Sequence, residues 1–195
     1  MMILSVHEAV VWWEYHHGKT TSDIATEYES GQPAPEYVYG LFESSNRESE
    51  RQGIQVVQLK DTQYVSRVLN RAKGKVGRVL RQHAKSHRLD VESVLDEKGI
   101  LIGFDYQANT QVYIVFSLQD GVIVWYKHDS YAGKLCPDCP KREECRNTLD
   151  IVIEEYNIEL RPDEEELFMT EQSIAIFNKV AAKPSPKYKR SEGSG

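Results

Sequence analysis

Residues 62–89, TQYVSRVLNRAKGKVGRVLRQHAKSHRL, constrain the fold more than any other part of the chain. Val65, Val68, Leu69, Ala72, Val76, Val79, Leu80 and Ala84 recur at steps of three and four, the spacing of one face of an α-helix. The same residues 62–89 carry eight Lys or Arg and no Asp or Glu, inside a chain of net charge −6 that therefore sums to −14 elsewhere. A long helix with one apolar stripe and its cations off that stripe is expected here. A local positive patch in an acidic chain points to a polyanionic partner. The plain alternative is a solvated amphipathic helix that is basic by chance.

The remaining composition, 40% apolar and 28% charged, is that of a globular protein with enough chain for a sizeable core. No apolar run approaches the ~18 residues of a membrane span, so no membrane association is expected. The N-terminal residues lack the basic start of a secretory signal, which implies a cytoplasmic protein. All three cysteines, Cys136, Cys139 and Cys145, fall inside ten residues. An odd, tightly clustered set argues for a metal rather than for disulfides.

Residues 5–17 predict a first helix, with Ser5 and Glu8 spaced as a capping box and Gly18 as the residue past its end. Thr20 or Thr21 then caps a short second helix, SDIATEYE, with Asp23 in its first turn. SGQPAP breaks the chain. Residues 36–43 follow as a short helix whose Tyr37, Tyr39 and Phe42 are expected to pack on the first helix, and IQVVQLK reads as strand-like. Asp61 or Thr62 caps the basic helix, whose Gly74 and Gly77 mark a kink or the close approach of a second backbone.

GKTTSDIATEY, with Gly18, Thr20 and the Ile24-Ala25 pair, resembles the second helix of the helix-turn-helix in bacterial sigma-factor region four and archaeal Tfx-like regulators. TQYVSRVLNRAKGKV resembles their recognition helix. That resemblance implies a sequence-specific DNA-binding regulator in which Thr62, Gln63, Tyr64, Ser66, Arg67, Asn70 and Arg71 face DNA. Lys73, Lys75 and Arg78 would bind the phosphate backbone, and a homodimer is expected. Those families place the two helices a few residues apart, whereas more than 30 residues intervene here. Either a subdomain is inserted in the turn, or the helix at 36–43 is the third helix and the basic helix an extension. The second option is disfavoured because that stretch is acidic.

From Gly99 the pattern changes to that of strands. ILIGFDY, QVYIVFS and GVIVWYKHD predict a three-stranded antiparallel sheet, with Asp120-Gly121 as a hairpin signal. The preceding VESVLDEKG reads as a short turn capped by Asp90. After the last strand come Cys136, Cys139 and Cys145, spaced Cys-x2-Cys-x5-Cys and followed by a helix. His128 is the candidate fourth ligand of a tetrahedral zinc, with Asp129 and Asp138 weaker candidates. CPDCPKREEC also resembles the Cys-x2-Cys-Pro-x4-Cys core of WhiB-type iron–sulfur regulators, matching at Cys136, Cys139, Pro140 and Cys145. That resemblance implies a [4Fe-4S] cluster, although the family's distant fourth cysteine is absent here. Zinc and [4Fe-4S] both stand as readings of the one metal centre.

The C-terminal part is acidic and open to a protein partner, and it ends in PDEEELFMTEQSIAIFNKV, a last helix or strand. No phosphate-binding glycine loop, HExxH or nucleophile elbow is present, so an enzyme is not expected. The whole reads as α+β: a helix-turn-helix DNA-binding domain at 1–90 with an inserted segment at about 30–60, a β-sheet and cysteine-cluster domain at 91–180, and a disordered tail at 181–195. The alternative is a metal-braced adaptor that binds RNA or a protein partner.

Overall fold

The computed structural model describes residues 3–183, so the tail expected at 181–195 falls almost wholly outside the described residues. Among these residues the chain is α+β, with eight α-helices and one four-stranded antiparallel sheet. The first helix, α1, spans Val6–His16, and the Ser5 N–H donates to Glu8 Oε2 at 2.8 Å as its first turn closes. Thr20 caps α2 (Thr21–Glu27), accepting from the Asp23 N–H at 3.2 Å. Then come α3 (Glu36–Glu43) and α4 (Glu48–Gln55). Tyr37 of α3 stacks on Trp13 of α1 with ring centroids 4.6 Å apart, the packing expected from its apolar ring.

The centre of the molecule is α5 (Thr62–Ser86), capped by Asp61, whose side chain accepts from the Tyr64 N–H at 2.7 Å. Its buried residues are Val65, Val68, Leu69, Ala72, Val76, Gly77, Leu80 and Ala84, nearly the stripe read from sequence. Those side chains pack against α1, α2 and the sheet. Burying each Val or Leu contributes about 1.5–3 kcal/mol, enough to hold two glycines in the helix interior. Gly77 sits where a Cβ would collide with the Asp96 carboxylate, so a close approach explains it. Gly74 faces open space.

The sheet order is β1-β2-β3-β4, formed by Asp90–Leu95, Ile100–Asp105, Thr110–Ser117 and Gly121–Tyr126. The expected three strands are thus corrected to four. The segment read as a turn capped by Asp90 is β1, an edge strand paired to β2 with a bulge between Val91 and Ser93. It escaped the pattern because its first half, with Val91, is exposed, and only Val94 and Leu95 pack against the core. The strand-like IQVVQLK is also corrected. Ile54 and Gln55 end α4, and only Val57 makes a β-bridge, to Gln32. Ile54, Val57 and Leu59 are apolar there because they are buried, not because they are paired in a ladder.

In β3 every residue from Val112 to Ser117 is buried, so both faces of the sheet are covered. Phe116 meets Trp12 of α1 edge to face at 5.4 Å. Tyr113, on the opposite face, stacks on Phe177 at 4.9 Å. Phe177 belongs to α8 (Met169–Val180), which with α6 (Arg142–Glu155) and the short α7 (Pro162–Glu165) forms the second helical layer. The segment read as helix or strand is therefore helical. One apolar cluster runs from Leu4 through α5 and the sheet to Ala181.

Candidate functional site

With one face of α5 committed to the core, its cations are left on the other. Arg67, Arg71, Arg78, Arg81 and Lys85 are exposed, and Gly74 fills the one gap in their spacing. Positions 67, 71, 74, 78, 81 and 85 step by four and three residues in turn, which draws a near-straight line along the helix. At about 1.5 Å per residue, that line is roughly 27 Å long. Arg81 is bridged to Asp96 at 3.0 Å. None of the ion pairs among the described residues uses Arg67, Arg71, Arg78 or Lys85.

Other residues predicted to face DNA have partners inside the protein. Lys75 Nζ lies 2.6 Å from the carboxylate of buried Glu8. Burial alone would push that carboxyl up, but the hydrogen bonds from Lys75 and Ser5 and the Lys75 charge outweigh it and hold it below the usual range. Lys73 Nζ sits 4.9 Å above the Tyr15 ring. Tyr64 is half-buried, with its hydroxyl 2.9 Å from His7 Nδ1. His7 is held below the ordinary histidine range, first by burial and then by the neighbouring Arg71 charge. Gln63 and Asn70 are exposed beside the cationic line, Thr62 is exposed at the start of the helix but on the side of the buried stripe, and Ser66 is half-buried. On α3, Tyr37 donates to Glu155 at 2.8 Å and stacks on Trp13, so it is turned inward.

The cysteine loop is built from tight local turns. Beyond β4, Tyr131 and Lys134 pair across Ala132 and Gly133, both at positive φ (50° and 75°). A 3₁₀ turn at Cys136–Asp138 follows, with the Cys139 N–H donating to the Cys136 carbonyl at 3.3 Å. The Lys141 N–H donates to Cys139 Sγ at 3.4 Å. Cys145 lies on the first turns of α6 and is half-buried, as are Cys136 and Cys139. All three line a single cavity of ≈ 20 Å³ together with His128, against Trp125 and Thr170. Asp129 and Asp138, the other candidate ligands, do not line it. His128 Nδ1 lies 2.9 Å from the Tyr126 carbonyl. As the side chains stand, no three His, Cys, Asp or Glu among the described residues are in ligating geometry, and Cys136 Sγ is turned to Thr170 Oγ1 at 3.9 Å. The donor set fits a metal in type and number: three sulfurs and one imidazole nitrogen around one small void.

Sequence reading missed the groups that decide which cations are free. Glu8, Asp96 and Tyr15 neutralise or cover Lys75, Arg81 and Lys73 from elsewhere in the chain. Of these, only Glu8 had a sequence signal, as a helix cap, and that signal said nothing of Lys75. No protein-family model, curated protein or solved structure matches this chain. No helix among the described residues is long and apolar enough to cross a membrane.

Proposed function

We propose that this chain is a DNA-binding regulator whose α5 lies against double-stranded DNA. The observation that carries the reading is the line of exposed, unpaired Arg67, Arg71, Arg78 and Lys85 on one helix face of a chain with net charge −6. Cations without internal partners gain most from phosphates, because binding releases condensed counterions and breaks no ion pair. Exposed Gln63 and Asn70 flank the first half of that line, where base-edge contacts could be made. Burial of Ile24 and Ala25 on α2, which packs on α5, agrees with a helix-turn-helix in which α3 and α4 form the inserted segment. Lys73 and Lys75 serve the fold in this reading, and the phosphate contacts pass to Arg78 and Lys85. A dimer would supply the second half-site.

The test is fluorescence anisotropy with a labelled duplex over a salt series. Log affinity is expected to fall linearly with log salt, and Arg67→Ala and Arg71→Ala are each expected to cost about 1–3 kcal/mol. Equal affinity for the two variants and the unsubstituted chain would remove α5 as the binding element. A salt-independent affinity for a protein ligand would favour the adaptor reading instead.

A further inference from the structure

We propose that Cys136, Cys139, Cys145 and His128 hold one tetrahedral zinc ion, with His128 binding through Nε2. This goes beyond the DNA reading and does not depend on it. The four donors come from the end of β4, the cysteine turn and the start of α6, yet they line one cavity. Its ≈ 20 Å³ is room for a single water-sized sphere, hence for one ion.

The second set of contacts favours the same ion. The Tyr126 carbonyl 2.9 Å from Nδ1 of His128 can only accept, so Nδ1 carries the proton. The lone pair is thereby left on Nε2, the arrangement by which backbone carbonyls orient zinc-bound histidines. The Lys141 N–H directed at Cys139 Sγ at 3.4 Å is the kind of outer contact that orients a metal-bound sulfur. Three thiolates and an imidazole are a closed structural set, with no position for substrate. Zinc binding draws the sulfurs inward by side-chain rotation, taking Cys136 off Thr170, and displaces three thiol protons to solvent. The ion then joins β4, the cysteine turn and α6.

The experiment is metal analysis of the full chain purified without oxygen, followed by cobalt substitution. The expected result is one zinc per chain and a tetrahedral cobalt spectrum with thiolate charge transfer. His128→Ala is expected to weaken zinc by more than about 100-fold, since loss of even an outer partner costs 10–100-fold. His128→Cys restores tight binding with stronger charge transfer, which separates ligand loss from misfolding. Iron and sulfide in the purified protein, absence of any bound metal after zinc is supplied, or unchanged zinc affinity in His128→Ala would each overturn the proposal.

Discussion

At the scale of single residues, the buried ionisable groups set how stability depends on pH. His16 is wedged between Trp12 at 4.3 Å and Tyr156 at 4.9 Å, with its Nδ1 2.9 Å from the Trp12 carbonyl. Burial, helped by the Lys98 charge and against the pull of the Trp12 carbonyl, lowers its pKa from 6.5 to about 4. The folded chain therefore binds fewer protons than the unfolded chain between those two values. The contribution of His16 to stability is complete above pH 6.5 and is lost as pH falls towards 4. Its upper bound is about 3 kcal/mol, reduced because the residue as a whole is only half-buried. Urea denaturation at several pH values should show this loss in the unsubstituted chain. His16→Gln, which cannot titrate, is expected to show a flatter profile in that window.

At the scale of elements, α5 contains a contrast that a pair of substitutions exposes. Gly74 and Gly77 are three residues apart in one helix, yet one faces solvent and the other the Asp96 carboxylate. Gly74→Ala is expected to stabilise by up to about 1 kcal/mol through helix propensity. Gly77→Ala is expected to stabilise less than Gly74→Ala, because the added methyl forces the Asp96 carboxylate and the Arg81 guanidinium aside and offsets the propensity gain. Thermal melts of the two variants should differ, with Gly74→Ala melting higher than Gly77→Ala. Elements were legible in the sequence where a local signal fixed them. Ser5 with Glu8, and Thr20 or Thr21 ahead of Asp23, marked helix starts, and the three- and four-residue steps from Val65 to Ala84 marked α5. The polar edge strand β1 and the charged α4 were not legible. The ladder to β2 holds one, and the burial of Ile54 among distant residues holds the other.

At the scale of the whole molecule, the two helical layers meet through a buried carboxylate. Glu155 of α6 accepts from the Ser117 hydroxyl at 3.0 Å and from the N–H groups of Leu118 and Gln119 at 2.7 and 3.0 Å. The Tyr37 hydroxyl of α3 donates to it as well, at 2.8 Å. Burial raises its pKa, although all four donors favour the charged form. Glu155→Ala leaves several buried donors unmatched and is expected to cost about 2–4 kcal/mol, whereas Tyr37→Phe costs about 1. The double variant should lose less than the sum, read as a coupling energy in urea denaturation. Additive losses would mean that the two layers are held independently. The same long-range closure explains what sequence could tell of the candidate sites. Cys136, Cys139 and Cys145 were visible because they are neighbours in the chain. Which lysines and arginines are free was not visible, because Glu8 and Asp96 reach α5 only in three dimensions.

The apolar and cationic stripes of α5 share one rod, and this limits how the gene can change. Each residue added to an α-helix turns everything beyond it by about 100°. One codon inserted near Gly74 would swing Leu80 and Ala84 out of the core and bring Arg78 and Lys85 round towards it in the same stroke. The reading length of residues 62–86 is therefore fixed twice over, by two surfaces that must stay in phase. The connections around α3 and α4 carry no such double registration, so length variation should accumulate there and be purged from α5.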